Sequence, residues 1–107
     1  MSAVKREELV GLWKSDPTDI LGRRLMGSAT LDFRGNGQLI YTSHDDETDR
    51  ISILTFVLEE GCLSTEQPTA PKVERTRVEF SLDGKLVLEY DGIPVRYIRL
   101  RLPEERN

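Results

Sequence analysis

The residues of this chain that could do chemistry are few and scattered. His44 opens an acidic run, His44-Asp45-Asp46-Glu47-Thr48-Asp49, with enough nitrogen and oxygen atoms to suggest a metal site. A calcium loop of the EF-hand type needs a central glycine and a terminal glutamate at fixed spacing. Neither is present, so the run reads as a solvated acidic turn that holds no metal. Cys62 follows Glu59-Glu60-Gly61; a reactive thiol needs electropositive surroundings, and this one reads as passive. There is no Gly-rich phosphate loop, Cys-x-x-Cys, histidine pair or nucleophile elbow. The expectation is a non-enzyme without a cofactor.

More informative are Glu74 with Thr76, and Tyr90 with Tyr97, because the strands that carry them put all four on one face. Asp91-Gly92 as a two-residue hairpin loop sets Tyr90 opposite Ile93, Leu88 opposite Val95 and Leu86 opposite Tyr97. Leu82-Asp-Gly84 as a three-residue loop sets Phe80 opposite Leu86 and Val78 opposite Leu88. The two hairpins agree on an inward set of Val78, Phe80, Leu86, Leu88, Tyr90, Ile93, Val95 and Tyr97. Val87, Glu89 and Arg96 fall outside, with Arg77 opposite Glu89 as a cross-strand ion pair. Glu74 and Thr76 share the inward parity towards one end; if the strand begins later, Glu74 points to water.

The same unit of strand, glycine turn and strand recurs along the chain. Leu31-Asp-Phe33 and Leu39-Ile-Tyr41 flank Gly35-Asn-Gly37, pairing Phe33 with Leu39 and Leu31 with Tyr41. Segments 28–34 and 38–43, 50–58 and 62–66, and 73–81 and 85–90 form three hairpin pairs, with Leu58 opposite Leu63 and Phe56 inward in the second. Segment 93–101 is the last strand and Gly11–Ser15 the first. Residues 3–9 read as a helical turn. Residues 16–27 read as a partly helical connection, with Ser15 or Asp16 as N-cap, Pro17 in the first turn and a break at Gly22. A charged tail frays from Pro103. The prediction is an all-β, eight-stranded, antiparallel up-and-down barrel with a short N-terminal helical turn, since closure removes both sheet edges.

At 107 residues the chain is one domain, 1–107, able to close a core without metals or disulfides. Nineteen acidic residues against fifteen lysines and arginines give a net charge of -4, which disfavours nucleic-acid binding. No run approaches the ~18 apolar residues of a membrane helix, and the N-terminus lacks the apolar centre of a signal peptide. A cytoplasmic location without membrane partners is the expectation.

Gly11-Leu-Trp13 in the first strand, Leu31-Asp-Phe33 before Gly35-Asn-Gly37, and Thr65-Glu-Gln-Pro68 leading to Glu74-Arg-Thr76 resemble the calycin superfamily. Within it, the chain is most similar to small bacterial lipocalin-like domains. The resemblance implies a barrel in which an arginine of the last strand crosses the tryptophan at the closed end. Arg99 is the matching position and lies on the inward parity beyond Tyr97. Trp13 and Arg99 are thus expected to have a structural role. Unlike a fatty-acid-binding protein, the chain has no helix-turn-helix lid and too few residues for ten strands. Unlike a secreted lipocalin, it has no pair of cysteines.

In such a barrel the tight turns at 35–37, 60–61 and 82–84 gather at one end. The longer connections 16–27, 44–49 and 67–71 gather at the other, with the Asp91-Gly92 turn. That end is the expected mouth for a small hydrophobic or amphipathic ligand, lined by Tyr41, Phe56, Glu74, Thr76 and Tyr90. Leu21, Leu25 and Met26 would form a lid. The alternative is a protein-interaction or structural domain whose interior is filled by its own side chains.

Overall fold

The computed structural model describes residues 4–44 and 47–100, with the backbone alone at 70–72. A four-residue helix, α1 (Arg6–Leu9), leads into β1 (Gly11–Ser15), and a second helix, α2 (Ile20–Met26), separates β1 from β2 (Ser28–Phe33). Then follow β3 (Gln38–His44), β4 (Asp49–Glu59), β5 (Cys62–Gln67), β6 (Ala70–Phe80), β7 (Leu86–Tyr90) and β8 (Ile93–Arg99). Each strand pairs antiparallel with the next, and β8 returns to β1, closing an eight-stranded up-and-down barrel. The expected fold is the observed one. The acidic turn between β3 and β4 and the charged tail from Pro103 fall wholly or partly outside the described residues.

Turn chemistry sets the register. Asp91 and Gly92 both take positive φ, 51° and 81°, the paired left-handed conformation whose twist matches the flanking strands. It pairs Tyr90 with Ile93, Leu88 with Val95 and Leu86 with Tyr97. Phe80–Leu86 and Val78–Leu88 follow across β6 and β7, and Leu31–Tyr41 and Phe33–Leu39 across β2 and β3. Leu58 stands opposite Leu63. The inward residues form one continuous core from Leu9 and Trp13 to Val95 and Tyr97.

Six details differ from the expectations. Ile93 was expected inward but is 39% exposed, since it stands at the rim directly after the Asp91-Gly92 turn. Val87 faces out by register yet is only 6% exposed; its cross-strand partners Glu79 and Arg96 have stems long enough to cover it. Arg77 and Glu89 are Cα partners, but no ion pair joins them among the described residues. The break at Gly22 does not occur, and α2 runs through it. The N-cap of α2 is Asp19, whose side chain accepts from the Gly22 N–H, while Asp16 closes a separate turn onto Thr18. Finally, β6 starts at Ala70, with a register shift at Glu66/Gln67, so the 67–71 loop shrinks to a turn at residues 68–69.

Candidate functional site

The two ends of the barrel are built differently. At the end holding the tight turns, Trp13 is 1% exposed and donates its indole N–H to the Leu9 carbonyl at 2.9 Å. Arg99 lies over the indole, its Cζ 4.2 Å from the ring centroid, a cation–π geometry. It also donates to the carbonyls of Val10, at 3.1 Å, and Glu8, so it ties α1 to the barrel. Gly11 has φ +137°, and a Cβ there would run into the Arg99 guanidinium. The Gly-Leu-Trp triplet therefore has one physical reading: the glycine admits the arginine that covers the tryptophan. Above this plug Trp13 stacks on Phe80 at 5.8 Å, and Phe33 meets Phe56 edge-on at 5.1 Å. The lower barrel is filled with aromatic rings.

The other end is polar inside. Tyr97 is fully buried, and its hydroxyl lies 3.4 Å from that of half-buried Tyr90. Burial pushes the Tyr90 phenol up to about 12, and Tyr41 and Glu74 add to the rise. Burial raises Tyr97 further, with Tyr90, Tyr41 and Asp19 adding, and burial raises Tyr41 as well. The three tyrosines thus form one electrostatic neighbourhood of neutral hydroxyls. Thr76 is buried beside them, since the β6–β7 ladder brings it level with Tyr90. Phe56 is buried deeper, against Phe33. Glu74 keeps the inward parity of Thr76 but is exposed at the rim.

Helix α2 lies across this end against β8. Of the three residues expected as a lid, Met26 packs on the core, while Leu21 and Leu25 are 71% and 43% exposed. The reason is rotational. Gly22 and Met26, one turn apart, face the barrel, and a Cβ on Gly22 would meet Val95 Cγ1 at 3.1 Å and press into the Asp19 carboxylate. That carboxylate accepts from Gly22 N at 3.1 Å and from Arg96 N at 2.7 Å, bolting the helix start to β8. A second bolt is Asp16, 2% exposed, whose carboxylate takes Lys85 Nζ at 2.7 Å. The Lys85 ammonium holds the Asp16 carboxyl down at about 2, with the Thr18 N–H helping.

Inward parity was enough to single out Tyr41, Phe56, Thr76 and Tyr90 from the sequence. Asp19 and Gly22 were not singled out. The available signal was Asp19 itself, a competent N-cap three residues before Gly22, alongside the equally competent Asp16. Among the described residues no three His, Cys, Asp or Glu side chains come together as a metal site, and no helix is long and apolar enough to cross a membrane. No family model, curated protein or solved structure matches this chain.

Proposed function

We propose that the barrel binds a small hydrophobic or amphipathic molecule in its upper half, under α2. The observation that carries this reading is the Tyr90–Tyr97 hydroxyl pair. Only one of the two O–H groups can donate across their contact, which leaves the other hydrogen for a further acceptor. Tyr41 and Thr76 bring two more hydroxyls into the same desolvated region. A few hydroxyls above an aromatic floor suit a mostly apolar ligand with one acceptor group. The aromatic plug restricts such a ligand to the α2 end, and Met26 and the Gly22 face cover it. The neutral, buried phenols suit hydrogen bonding to a ligand.

The test is native mass spectrometry of the purified protein for a retained molecule, followed by titration with the neutral dye Nile red. Saturable dye fluorescence in the wild type, weakened by Tyr90→Leu and Thr76→Val but not by exposed Arg77→Gln, supports the reading. No retained mass and no saturable dye response overturn it.

A second reading has its own observation. Ile51, Ile53, Val57 and Val73, all more than half exposed, lie on the outer face of β4 and β6. A self-filled barrel presenting that face to a protein partner would leave the dye unbound. It would instead show association that Ile53→Lys abolishes.

A further inference from the structure

Outside the barrel, two separate parts of the chain bring cations to a pair of adjoining hollows. Arg23 and Arg24 come from the solvent side of α2, and Lys14 from the outer face of β1. His44 and Ser28 stand on the outer faces of β3 and β2. A hollow of about 830 Å3 is lined by Arg23, Arg24, Ser28 and His44, with Ile20 and Glu47 at its rim. A smaller one of about 240 Å3 shares Arg23, Ser28 and His44 with it, and extends it down the wall to Lys14 and Thr30. His44 is fixed in place by Asp49, 3.0 Å from Nδ1, and by the Thr30 hydroxyl, 2.7 Å from Nε2.

Lys14, Arg23 and Arg24 have no carboxylate partner among the described residues, although the chain carries more acidic than basic residues. Other cations are engaged: Lys85 holds Asp16, Arg34 holds Asp32 and Arg99 covers Trp13. Like charges lining one concavity repel each other and focus a positive potential into it. Among the described residues, Lys14, Arg23 and Arg24 line the two hollows together with Glu47, and Asp49 stands beside them on His44. A phosphomonoester, at about -1.5 to -2 near neutral pH, is an anion that two neighbouring guanidinium groups can hold. Guanidinium forks suit its oxygens, and the Ser28 hydroxyl adds a further donor.

We propose that this hollow is a phosphate-recognition site for a phosphorylated small molecule. The phosphate sits between Arg23, Arg24 and Lys14, and the organic part lies along the exposed Ile20 side chain. The volume is that of a small-molecule site, and the hollow is separate from the hydroxyl-lined barrel interior. A free phosphorylated metabolite and a phospholipid headgroup share this chemistry, and the test below separates them.

Phenyl phosphate, titrated at low salt and followed by amide chemical shifts, should move Ser28, Thr30 and His44 in a saturable way. Arg23→Gln/Arg24→Gln should weaken binding about tenfold or more, as expected for losing two charge-assisted contacts. Lys14→Met, on a different element, should weaken it several-fold, which keeps the test valid if the double variant perturbs α2. Arg77→Gln should change nothing. Vesicles containing phosphatidic acid form the second arm. Binding to them without a saturable phenyl phosphate response assigns the headgroup, provided the double variant abolishes it. No response to either probe overturns the proposal, as does equal affinity in the double variant and in Lys14→Met. So do shifts confined to Tyr41 and Tyr90.

Discussion

Replacing Gly22 by alanine separates two ways of reasoning about α2, because they predict opposite signs. As an isolated helix position, Gly→Ala should stabilise by about 1 kcal/mol, since alanine is the better helix former. In this barrel the added methyl presses into the Asp19 carboxylate and meets Val95 Cγ1 at 3.1 Å. To relieve it, Asp19 must turn away, which gives up the cap to Gly22 N and the bond to Arg96 N. The cap is worth ~1 kcal/mol. The charge-assisted bond at an exposed amide is worth roughly another 1–2 kcal/mol. Against the propensity gain, the net is a loss of about 1–2 kcal/mol, equivalent to a fall of roughly 5–10 °C in Tm for a domain of this size. Urea denaturation followed by Trp13 fluorescence measures the energy, and the Arg96 amide shift reports whether its bond to Asp19 is lost. A Gly22→Ala protein as stable as wild type or more so, with the Arg96 amide unmoved, would refute the claim that this glycine exists for close approach.

Other outcomes follow from the same contacts. Arg99→Ala should cost about 1–3 kcal/mol and shift the Trp13 emission to the red, since the indole loses its cover; unchanged emission would show that something else shields the ring. Gly11→Ala should cost a similar amount, because a side chain there is strained at φ +137° and displaces the same guanidinium. The Asp16 carboxyl is depressed in the folded state, so its stabilisation is full above the unfolded value near 3.8 and is lost as pH falls towards about 2. After discounting for solvent screening, that loss is about 1–2 kcal/mol, and Asp16→Asn should flatten the stability–pH curve between pH 4 and 2. Tyr90 is raised, so its proton is retained on folding: stability is full below the free value of 10.0 and declines as pH rises to about 12. Tyr90→Phe should move alkaline unfolding to higher pH, and an unmoved alkaline midpoint would mean that the hydroxyl is not desolvated.

What could be read from the sequence, and what could not, divides by the range of the interactions. The register of β6, β7 and β8 depends on two short turns and on alternation, both local, and it was legible in full. The pairing of Trp13 with Arg99 was expected from the resemblance of Gly11-Leu-Trp13 to a known barrel pattern, and inward parity, which carries Arg99 beyond Tyr97, agreed with it. The start of α2 was not legible. Ser15, Asp16 and Asp19 are all competent caps by local rules, and only the Arg96 N–H, contributed from β8, decides for Asp19. Gly22 shows the same limit in a stronger form, since a local rule reads it as a break and the tertiary contact makes it the point of docking. Pro68 and Pro71 signalled a long loop; the ladder instead continues to the Gln67–Ala70 pair through a register shift.

The candidate sites divide along the same line, and this bears on where function is to be sought. Interior positions of a barrel are set by parity, so Tyr41, Thr76 and Tyr90 could be named before any coordinates. The outer hollow gathers Lys14, Arg23, Arg24, Ser28 and His44 from segments that the alternating pattern marks only as outward. Outward parity says that a side chain meets water, not which other side chains it meets there. Helix α2 links the two regions, with the Gly22–Met26 face against the interior and Arg23 and Arg24 towards the hollow. An anion drawing those arginines inward would therefore pull on the helix that covers the tyrosines. If both sites are occupied in turn, each ligand alters the other's affinity only so far as it changes the seating of α2, and that coupling is reciprocal. Gly22→Ala, by unseating the helix, should reduce the coupling between Nile red and phenyl phosphate without changing Arg23, Arg24 or the tyrosines. Equal coupling in wild type and variant would mean that α2 carries no signal between them.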